Sequence, residues 1–525
     1  MKLFKNKKIN IISIILSIFL SLIIIIGKNI SRYMFNPNIN IFSQIINFKY
    51  FIIFILLTFI TFILLNLFFN ISKKIKFINS NNITINSKKV FIISFIIIFI
   101  CYIPYFLDNY PAIMSSDTIS QFNQIFHDIN LNNSHPVIHT LFMSLIFNFG
   151  KIFSNSNNIS VAFISITQMI IMSLIFSYVI KFLYDKKVNK YILIIVLIYY
   201  ALYPVHAIYS VTLWKDIMFS GLFTIFTIYI YKLYEKDNIC KIDILKYFLI
   251  TIAMIFFRNN AIYVFIICIP FLSILFKKYK IKLLALNLFI LIFYYIITGP
   301  IYSILNISQT SSVESLAIPI QQVGRIVYKN EKIDGNDIKL INAVIDINIL
   351  KNIYNPITVD NIKFNSSFDG KVIEENKQEY IKLYLRLIKN HPLTSIESYL
   401  CSTLGYWYPF IDYWINIKGV YNNLYDIYYD SKLNLDTSNI IDNIKNINIF
   451  KYVFSIGLCF ILILISIFNT YLLRNKKYII FYIPIIGLWI TMMIATPVFA
   501  EFRYIYSAFT LLPFFILLPF LKKDN

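Results

Sequence analysis

The chain has 525 residues, of which 58% are hydrophobic and 14% are charged. Several apolar runs are long enough to cross a hydrocarbon core about 30 Å thick, which excludes an ordinary soluble protein. The formal net charge of +22 does not indicate nucleic-acid binding. Residues 303 to 448 carry 14 basic and 16 acidic side chains, so the basic excess lies in short loops between apolar runs. The composition therefore predicts an all-α polytopic membrane protein with membrane lipids as partners.

About twelve apolar segments follow one another along the chain, and each is a predicted transmembrane helix. They lie near 9 to 27, 49 to 70, 90 to 107, 159 to 183, 191 to 209, 213 to 233, 243 to 257, 261 to 276, 281 to 302, 450 to 473, 478 to 500 and 501 to 521. The run 136 to 153 is interpreted differently. If it crossed, the basic loop DKKVNK at 185 to 190 would lie outside, so we expect an interfacial helix on the outer leaflet.

Clusters of lysine and arginine between the apolar runs predict the orientation of the chain in the cell membrane. The clusters lie within 73 to 89, 186 to 190, 236 to 241, 277 to 280, 474 to 477 and 522 to 523. Placing them on one side puts both termini in the cytoplasm. Four regions follow: a two-helix hairpin and cytoplasmic loop at 1–89, a transmembrane core at 90–302, an external, mostly α-helical domain at 303–448, and three transmembrane helices at 449–525. The core contains a long outer loop, 108–158.

The stretch NYPAIMSSDTISQF, residues 109 to 122, places an acid among small polar residues directly after an apolar helix. Residues 108 to 135 contain three acids and no Lys or Arg, so Asp117 is expected to stay ionised and is suited to act as a general base. The alternative is a helix N-cap, because Ser, Asp and Thr are all good capping residues and ISQFNQIF follows. The local features favour the cap.

Three cations lie at predicted outer helix ends, against the orientation bias: Lys215 in LWKD, Arg258 in FFRNN and Arg503 in EFRY. A site that handles a phosphate leaving group needs such donors, and arginine offers a bidentate fork. The alternative is that each side chain extends to the lipid headgroups. Both interpretations stay open on the sequence alone.

His135 and His139 are spaced i, i+4 at the start of the predicted interfacial helix, so both could face one site. This spacing can bind zinc, but no third ligand is evident, and Pro136 in the first helical turn favours a structural role or hydrogen bonding to substrate. We expect no metal. In the external region, three motifs together mix aromatic and amide side chains in a way that suits sugar binding: AIPIQQVGRIV, which contains Gln321, YNPITVD and LGYWYPF.

An outward helix, an early acid in SDTISQF, an interfacial helix ending in FNFGKIF and a further transmembrane run together resemble the N-terminal module of GT-C glycosyltransferases. These enzymes use polyprenyl-phosphate sugars on the outer face of the membrane. The motifs SSDTISQF, HPVIHTLF, LWKDI, RNNAIYV, IPIQQVGRIV and NHPL with YWYP also resemble a bacterial membrane-protein family of unassigned function with a GT-C-like core. This resemblance runs from about residue 90 to the C-terminus.

The resemblance implies a membrane glycosyltransferase that transfers a sugar, with inversion, from undecaprenyl phosphate to a hydroxyl of a glycan, lipid or protein. By motif position Asp117 is the catalytic base, which raises this interpretation above the cap. Arg258 and Arg503 resemble the cations that contact the lipid phosphate, and His135, His139, Lys215, Asn259 and Gln321 complete the expected substrate-binding set. Relatives often have a second acid after the first, but Thr118 stands here, so a metal-independent reaction without soluble cofactor is expected. The alternative function is a transporter or flippase of lipid-linked glycans.

Overall fold

The structure is a computed structural model that describes residues 6–75, 85–411, 413–448 and 450–521. The basic residues within 76–84 and 522–523, used above for the orientation, lie outside this part. The described chain is helical and has isolated β-bridges but no β-strand. The helices before residue 300 are α1 (Lys7–Tyr33), α2 (Ile41–Ile45), α3 (Phe48–Ser72), α4 (Ser87–Asp108), α5 (Ser116–Ile125), α6 (Val137–Phe153), α7 (Asn157–Asp185), α8 (Lys190–Leu202), α9 (Pro204–Ser210), α10 (Lys215–Glu235), α11 (Lys241–Phe256), α12 (Ala261–Leu275) and α13 (Lys280–Ile296).

The rest of the chain contains shorter helices and then four apolar ones. The shorter helices are α14 (Tyr302–Ile304), α15 (Ala317–Tyr328), α16 (Gly335–Val344), α17 (Ile347–Ile353), α18 (Asp360–Lys363), α19 (Gly370–Glu375), α20 (Lys377–Asn390), α21 (Pro392–Thr403) and α22 (Ile440–Lys445). The apolar ones are α23 (Ile456–Leu473), α24 (Ile483–Ala495), α25 (Tyr506–Thr510) and α26 (Leu512–Leu517).

Eight helices of the described residues are long and apolar enough to cross a membrane. They are Lys7–Tyr33, Phe48–Ser72, Ser87–Asp108, Asn157–Asp185, Lys215–Glu235, Lys277–Ile304, Ile456–Leu473 and Lys476–Ala495. The pair α8 and α9, bent by 49° where Pro204 begins α9, makes a ninth if it counts as one span. This architecture is compatible with a multi-pass membrane protein. The predicted number of twelve is larger because α11, α12 and the α25–α26 pair are shorter than a full span.

The largest apolar core joins α4, α7, α10, α12 and the last four helices. Residues 303 to 448 contain a second core, in which Ile326, Ile341, Leu350 and Leu387 are buried against one another. Each helix of this segment is too short to be stable alone in water, so their packing onto a common core holds them. The segment therefore has an interior of its own, while its position outside the membrane stays a prediction.

Contacts between helix ends show how the long helices alternate in direction. Ser87, at the start of α4, donates a hydrogen bond of 2.5 Å to Asp185 at the end of α7. At the opposite end of α4, Ile113 pairs with Thr212, just before α10 begins. The loop after α4 and the start of α10 therefore meet at one end of the helix bundle, where Arg503 in the chain before α25 contacts Asp117. The candidate site lies there.

Candidate functional site

The loop that carries Asp117 is fixed by backbone hydrogen bonds on both sides. Ile113 donates to the Val211 carbonyl at 2.9 Å and accepts from the Leu213 N–H at 3.0 Å. Met114, the next residue, donates to the Gly419 carbonyl at 3.0 Å. Backbone bridges of this kind leave the loop little freedom, so the first turn of α5 is held beside the start of α10.

Ser115 is the N-cap of α5, and its backbone N–H donates to the Thr118 hydroxyl at 3.2 Å. The Ser115 hydroxyl also accepts a hydrogen bond of 2.8 Å from the indole N–H of Trp214. Asp117 lies in the first helical turn, where the helix dipole favours a negative charge. The capping role belongs to Ser115 and Thr118, which leaves the carboxylate of Asp117 available for another partner.

That partner is Arg503, whose Nη1 lies 2.8 Å from Oδ2 of Asp117. The Nε of the same guanidinium lies 3.2 Å from Oε1 of Glu501, and its Cζ lies 4.8 Å from the ring centre of Trp214. The Arg503 side chain is 14% exposed, whereas that of Asp117 is recessed among protein atoms yet still 38% exposed. The pair therefore combines a largely buried cation with a carboxylate that water can reach.

Lys215 lies at the first position of α10 and directs its ammonium group at His135, with 2.9 Å between Nζ and Nδ1. Burial and the positive charge of Lys215 lower the pKa of His135 to about 3. The imidazole is therefore neutral at pH 7, and its Nδ1 accepts the hydrogen bond from Lys215. This contact holds the ammonium group at the edge of the recess without neutralising its charge.

The pKa of Asp117 depends on the balance between burial and the charges of its neighbours. Burial alone raises it, but the positive charges of Arg503 and Lys215 outweigh burial and lower the pKa to about 2. For Glu501, which is 3% exposed, burial prevails over the attraction of Arg503 and raises the pKa to about 7. Asp117 and Glu501, which both lie beside the guanidinium of Arg503, thus have widely separated pKa values. We call Asp117, His135, Lys215, Glu501 and Arg503 the Asp117 cluster.

Arg258 lies beside this cluster and is buried. Its Nε lies 3.2 Å from Oδ1 of Asp216, and its Nη1 donates to the carbonyl of Tyr504 at 2.9 Å. The ring of Tyr504 lies 5.2 Å from both guanidinium groups, that of Arg258 and that of Arg503. Both arginines therefore lie against Tyr504, and Asp216 offsets the charge of Arg258.

The remaining predicted site residues have structural contacts. His139 is buried, its Nδ1 lies 3.0 Å from the amide nitrogen of Gln121, and its ring packs on Phe257. Because Pro136 is the N-cap of α6, His135 precedes the helix, and the expected pair of histidines on one helical face does not form. Among the residues that the structure describes, no three His, Cys, Asp or Glu side chains come together to hold a metal ion.

Two amides that were expected to bind substrate hydrogen-bond to backbone carbonyls. Asn259, next to Arg258, donates to the Asn133 carbonyl at 2.7 Å and so joins the end of α11 to the loop before His135. Gln321 is buried in α15 and donates to the Asn355 carbonyl at 2.9 Å. These bonds place Asn259 next to the Asp117 cluster and Gln321 in the packing of the 303–448 segment.

Sequence reasoning missed Glu501 and Asp360. Glu501 stands two residues before Arg503 in an apolar run, and an acid in such a run is the feature of the sequence that could have indicated a site residue. Asp360 follows a short stretch in which Phe499 N–H donates to the Ile357 carbonyl and Val359 N–H donates to the Pro497 carbonyl. Burial raises the pKa of Asp360, and the nearby charges of Lys363 and Arg503, which act in the opposite direction, do not cancel this effect. The 303–448 segment thus supplies an acid close to the Asp117 cluster.

A family model described as a family of unknown function (DUF6020) matches residues 126–525. The chain belongs to this family. The matched region includes His135, Lys215, Glu501 and Arg503 and begins nine residues after Asp117. No curated protein and no solved structure matches the chain. DUF6020 membership assigns no activity, so a function for the Asp117 cluster has to be argued from its chemistry.

Proposed function

We propose that this DUF6020 protein is a GT-C-type glycosyltransferase that moves a sugar from a polyprenyl-phosphate donor to an acceptor hydroxyl on the outer face of the cell membrane. One observation carries the proposal: the water-accessible carboxylate of Asp117 lies 2.8 Å from the largely buried guanidinium of Arg503. The ammonium of Lys215 completes a site with one acid and two cations. The three residues come from distant parts of the chain.

The cations of this site suit a phosphate leaving group. The donor phosphate is a diester with one negative charge, and it leaves as a monoester that carries up to two. Arg503 and Lys215 interact more strongly with the second charge than with the first, so they stabilise the transition state more than the bound donor. Asp216 offsets the charge of Arg258, so Arg503 and Lys215 are the cations beside the water-accessible carboxylate of Asp117 that an anion can contact.

Asp117 supplies the base. As the acceptor oxygen forms its bond to the anomeric carbon, the acceptor proton moves to a carboxylate oxygen of Asp117, and the bond from that carbon to the phosphate oxygen breaks. The phosphate keeps the electron pair. Attack from the face opposite the phosphate inverts the configuration at this carbon.

A base with a pKa of about 2 is weak, and the ion pair with Arg503 is one reason for this low value. A donor phosphate that takes over the hydrogen bonds of Arg503 removes that stabilisation and adds a negative charge nearby. Both effects raise the pKa of Asp117. Donor binding therefore releases the base from its resting partner and makes it a better proton acceptor, which couples activation to occupancy of the site.

The test is transfer by the purified full chain with a labelled polyprenyl-phosphate sugar and a panel of hydroxyl acceptors. The expected result is release of lipid phosphate together with glycosylated acceptor by the wild type. Asp117→Asn keeps the size of the side chain but removes the base, and we expect a loss of about 100-fold or more. Asp128→Asn is the matched control, because Asp128 lies in the same loop and contacts Tyr425, outside the Asp117 cluster.

Equal transfer by wild type and Asp117→Asn would exclude the base assignment. Sealed vesicles distinguish the other candidate function. If intact donor crosses the membrane and no lipid phosphate is released, the protein is a transporter or flippase and the proposed transfer is wrong.

A further inference from the structure

A cavity of about 480 Å³ lies between α7, α10 and α11, at the other end of the helix bundle. Lys215, in the Asp117 cluster, and Lys232, in the cavity wall, are seventeen positions apart on α10, or about 26 Å along the helix. This distance is most of the thickness of a hydrocarbon core. The cavity therefore opens near the opposite membrane surface and is separate from the Asp117 cluster.

The wall of the cavity is mostly apolar, with Ile225, Leu233 and Ile250 among its side chains. Its size is within the range of small-molecule sites in proteins. Two tyrosines, Tyr178 and Tyr229, add rings with a polar end, a residue type enriched where membrane meets water. Such a lining suits the glycerol and upper acyl region of a lipid and offers little to a free inorganic anion.

The charges at the cavity are unequal. Lys236 is paired with Asp243, at 2.5 Å between Nζ and Oδ1. Lys232 and Lys246 also line the cavity, and neither has an ion pair among the residues that the structure describes. The ammonium of Lys232 instead lies 4.5 Å from the ring centre of Tyr178. Two ammonium groups without a carboxylate partner thus border an apolar space.

We infer that this cavity binds the phosphate headgroup of an anionic phospholipid. The phosphate lies between Lys232 and Lys246, and the acyl chains leave the cavity along the apolar faces of α10 and α11. Charge complementarity selects the headgroup, because basic pockets between transmembrane helices bind anionic lipids. The apolar wall selects a lipid over free phosphate. This inference does not rest on the proposed sugar transfer.

The experiment is native mass spectrometry of the purified full chain in neutral detergent, with phosphatidylglycerol, phosphatidylcholine or inorganic phosphate added. We expect phosphatidylglycerol to be retained at least tenfold better than phosphatidylcholine. The double variant Lys232→Gln, Lys246→Gln should lose this preference. Lys73→Gln with Lys74→Gln is the matched control, because it removes the same charge from a loop predicted to lie on the same side, and it should keep the preference.

A second variant tests the cavity without changing any charge. Ile225→Trp fills the space and should lower phosphatidylglycerol retention as much as removal of the two lysines does. Unchanged retention in either the Ile225→Trp or the double lysine variant overturns the site. Displacement of the lipid by an equal concentration of inorganic phosphate overturns the lipid assignment. Neither result bears on transfer by the Asp117 cluster, so the two proposals fail separately.

Discussion

Glu501→Gln gives the sharpest test of the electrostatics of the Asp117 cluster. Burial raises the pKa of Glu501 from 4.5 to about 7 in the folded protein. Because the folded-state pKa is above the unfolded value, folding takes up a proton between these two pH values. The contribution of protonated Glu501 to the free energy of unfolding is therefore complete below pH 4.5 and is lost as the pH rises through 7. The pKa difference corresponds to about 3 kcal/mol of unfolding free energy.

Glutamine mimics the protonated acid at every pH, so its variant should not lose this contribution. We expect wild type and Glu501→Gln to be equally stable at pH 4.5 and the variant to be more stable by about 3 kcal/mol at pH 8. The measurement is chemical unfolding in detergent micelles at both pH values. His135, whose pKa is lowered to about 3, titrates with the opposite sign in this window. Its contribution cancels in the difference between the two proteins.

The exposed acid Glu379, in α20, provides a control, and Glu379→Gln should give the same difference from wild type at both pH values. A difference in stability between wild type and Glu501→Gln that does not change with pH would refute the raised pKa of Glu501. A variant that is less stable than the wild type at pH 8 would also refute it, because the charged form of Glu501 would then be the favoured one.

Three further predictions follow from single contacts. Arg503→Lys keeps the charge but loses the planar fork, so transfer in the donor assay should fall about tenfold or more. Gly405→Ala brings a methyl group to 2.3 Å from Cβ of Ala500, and a loss of about 1–3 kcal/mol in unfolding free energy is expected by chemical unfolding. Arg325→Met leaves Lys329 as the remaining ion-pair partner of the buried Glu397 carboxylate, and a loss of about 1–3 kcal/mol is expected by the same measurement.

The helices were largely predictable, because apolar runs and breaker residues act locally. The expected interfacial helix at 136 to 153 corresponds to α6, Val137–Phe153, whose position relative to the membrane stays a prediction. Pro392 marks a helix boundary of this local kind, since α20 ends at Asn390 and α21 begins with Pro392. The two apolar runs around Arg258, which are the shortest of the predicted spans, form the helices α11 and α12, and each is shorter than a full span.

The candidate site was only partly predictable, because its contacts join residues far apart in sequence. Asp117 and Arg503 are 386 positions apart, and nothing in either local motif indicates an ion pair. The pattern identified the residue types, since an acid without cationic neighbours and a cation at an outer helix end are both unusual. It did not identify Glu501, because an acid beside an arginine looks locally neutralised. Only packing shows that Glu501 is buried deeply enough to raise its pKa to about 7.

The end of the first helix contacts the interior of the 303–448 segment. The backbone carbonyl of Met34, directly after α1, accepts a hydrogen bond from the buried guanidinium of Arg325, and the hydroxyl of Tyr328 donates to the carbonyl of Phe35. The matched region begins at residue 126, yet its buried Arg325 contacts backbone almost a hundred residues upstream of that point. A version of the chain that began at residue 126 would leave this N–H without its acceptor, so the end of the first helix is part of what stabilises the 303–448 segment.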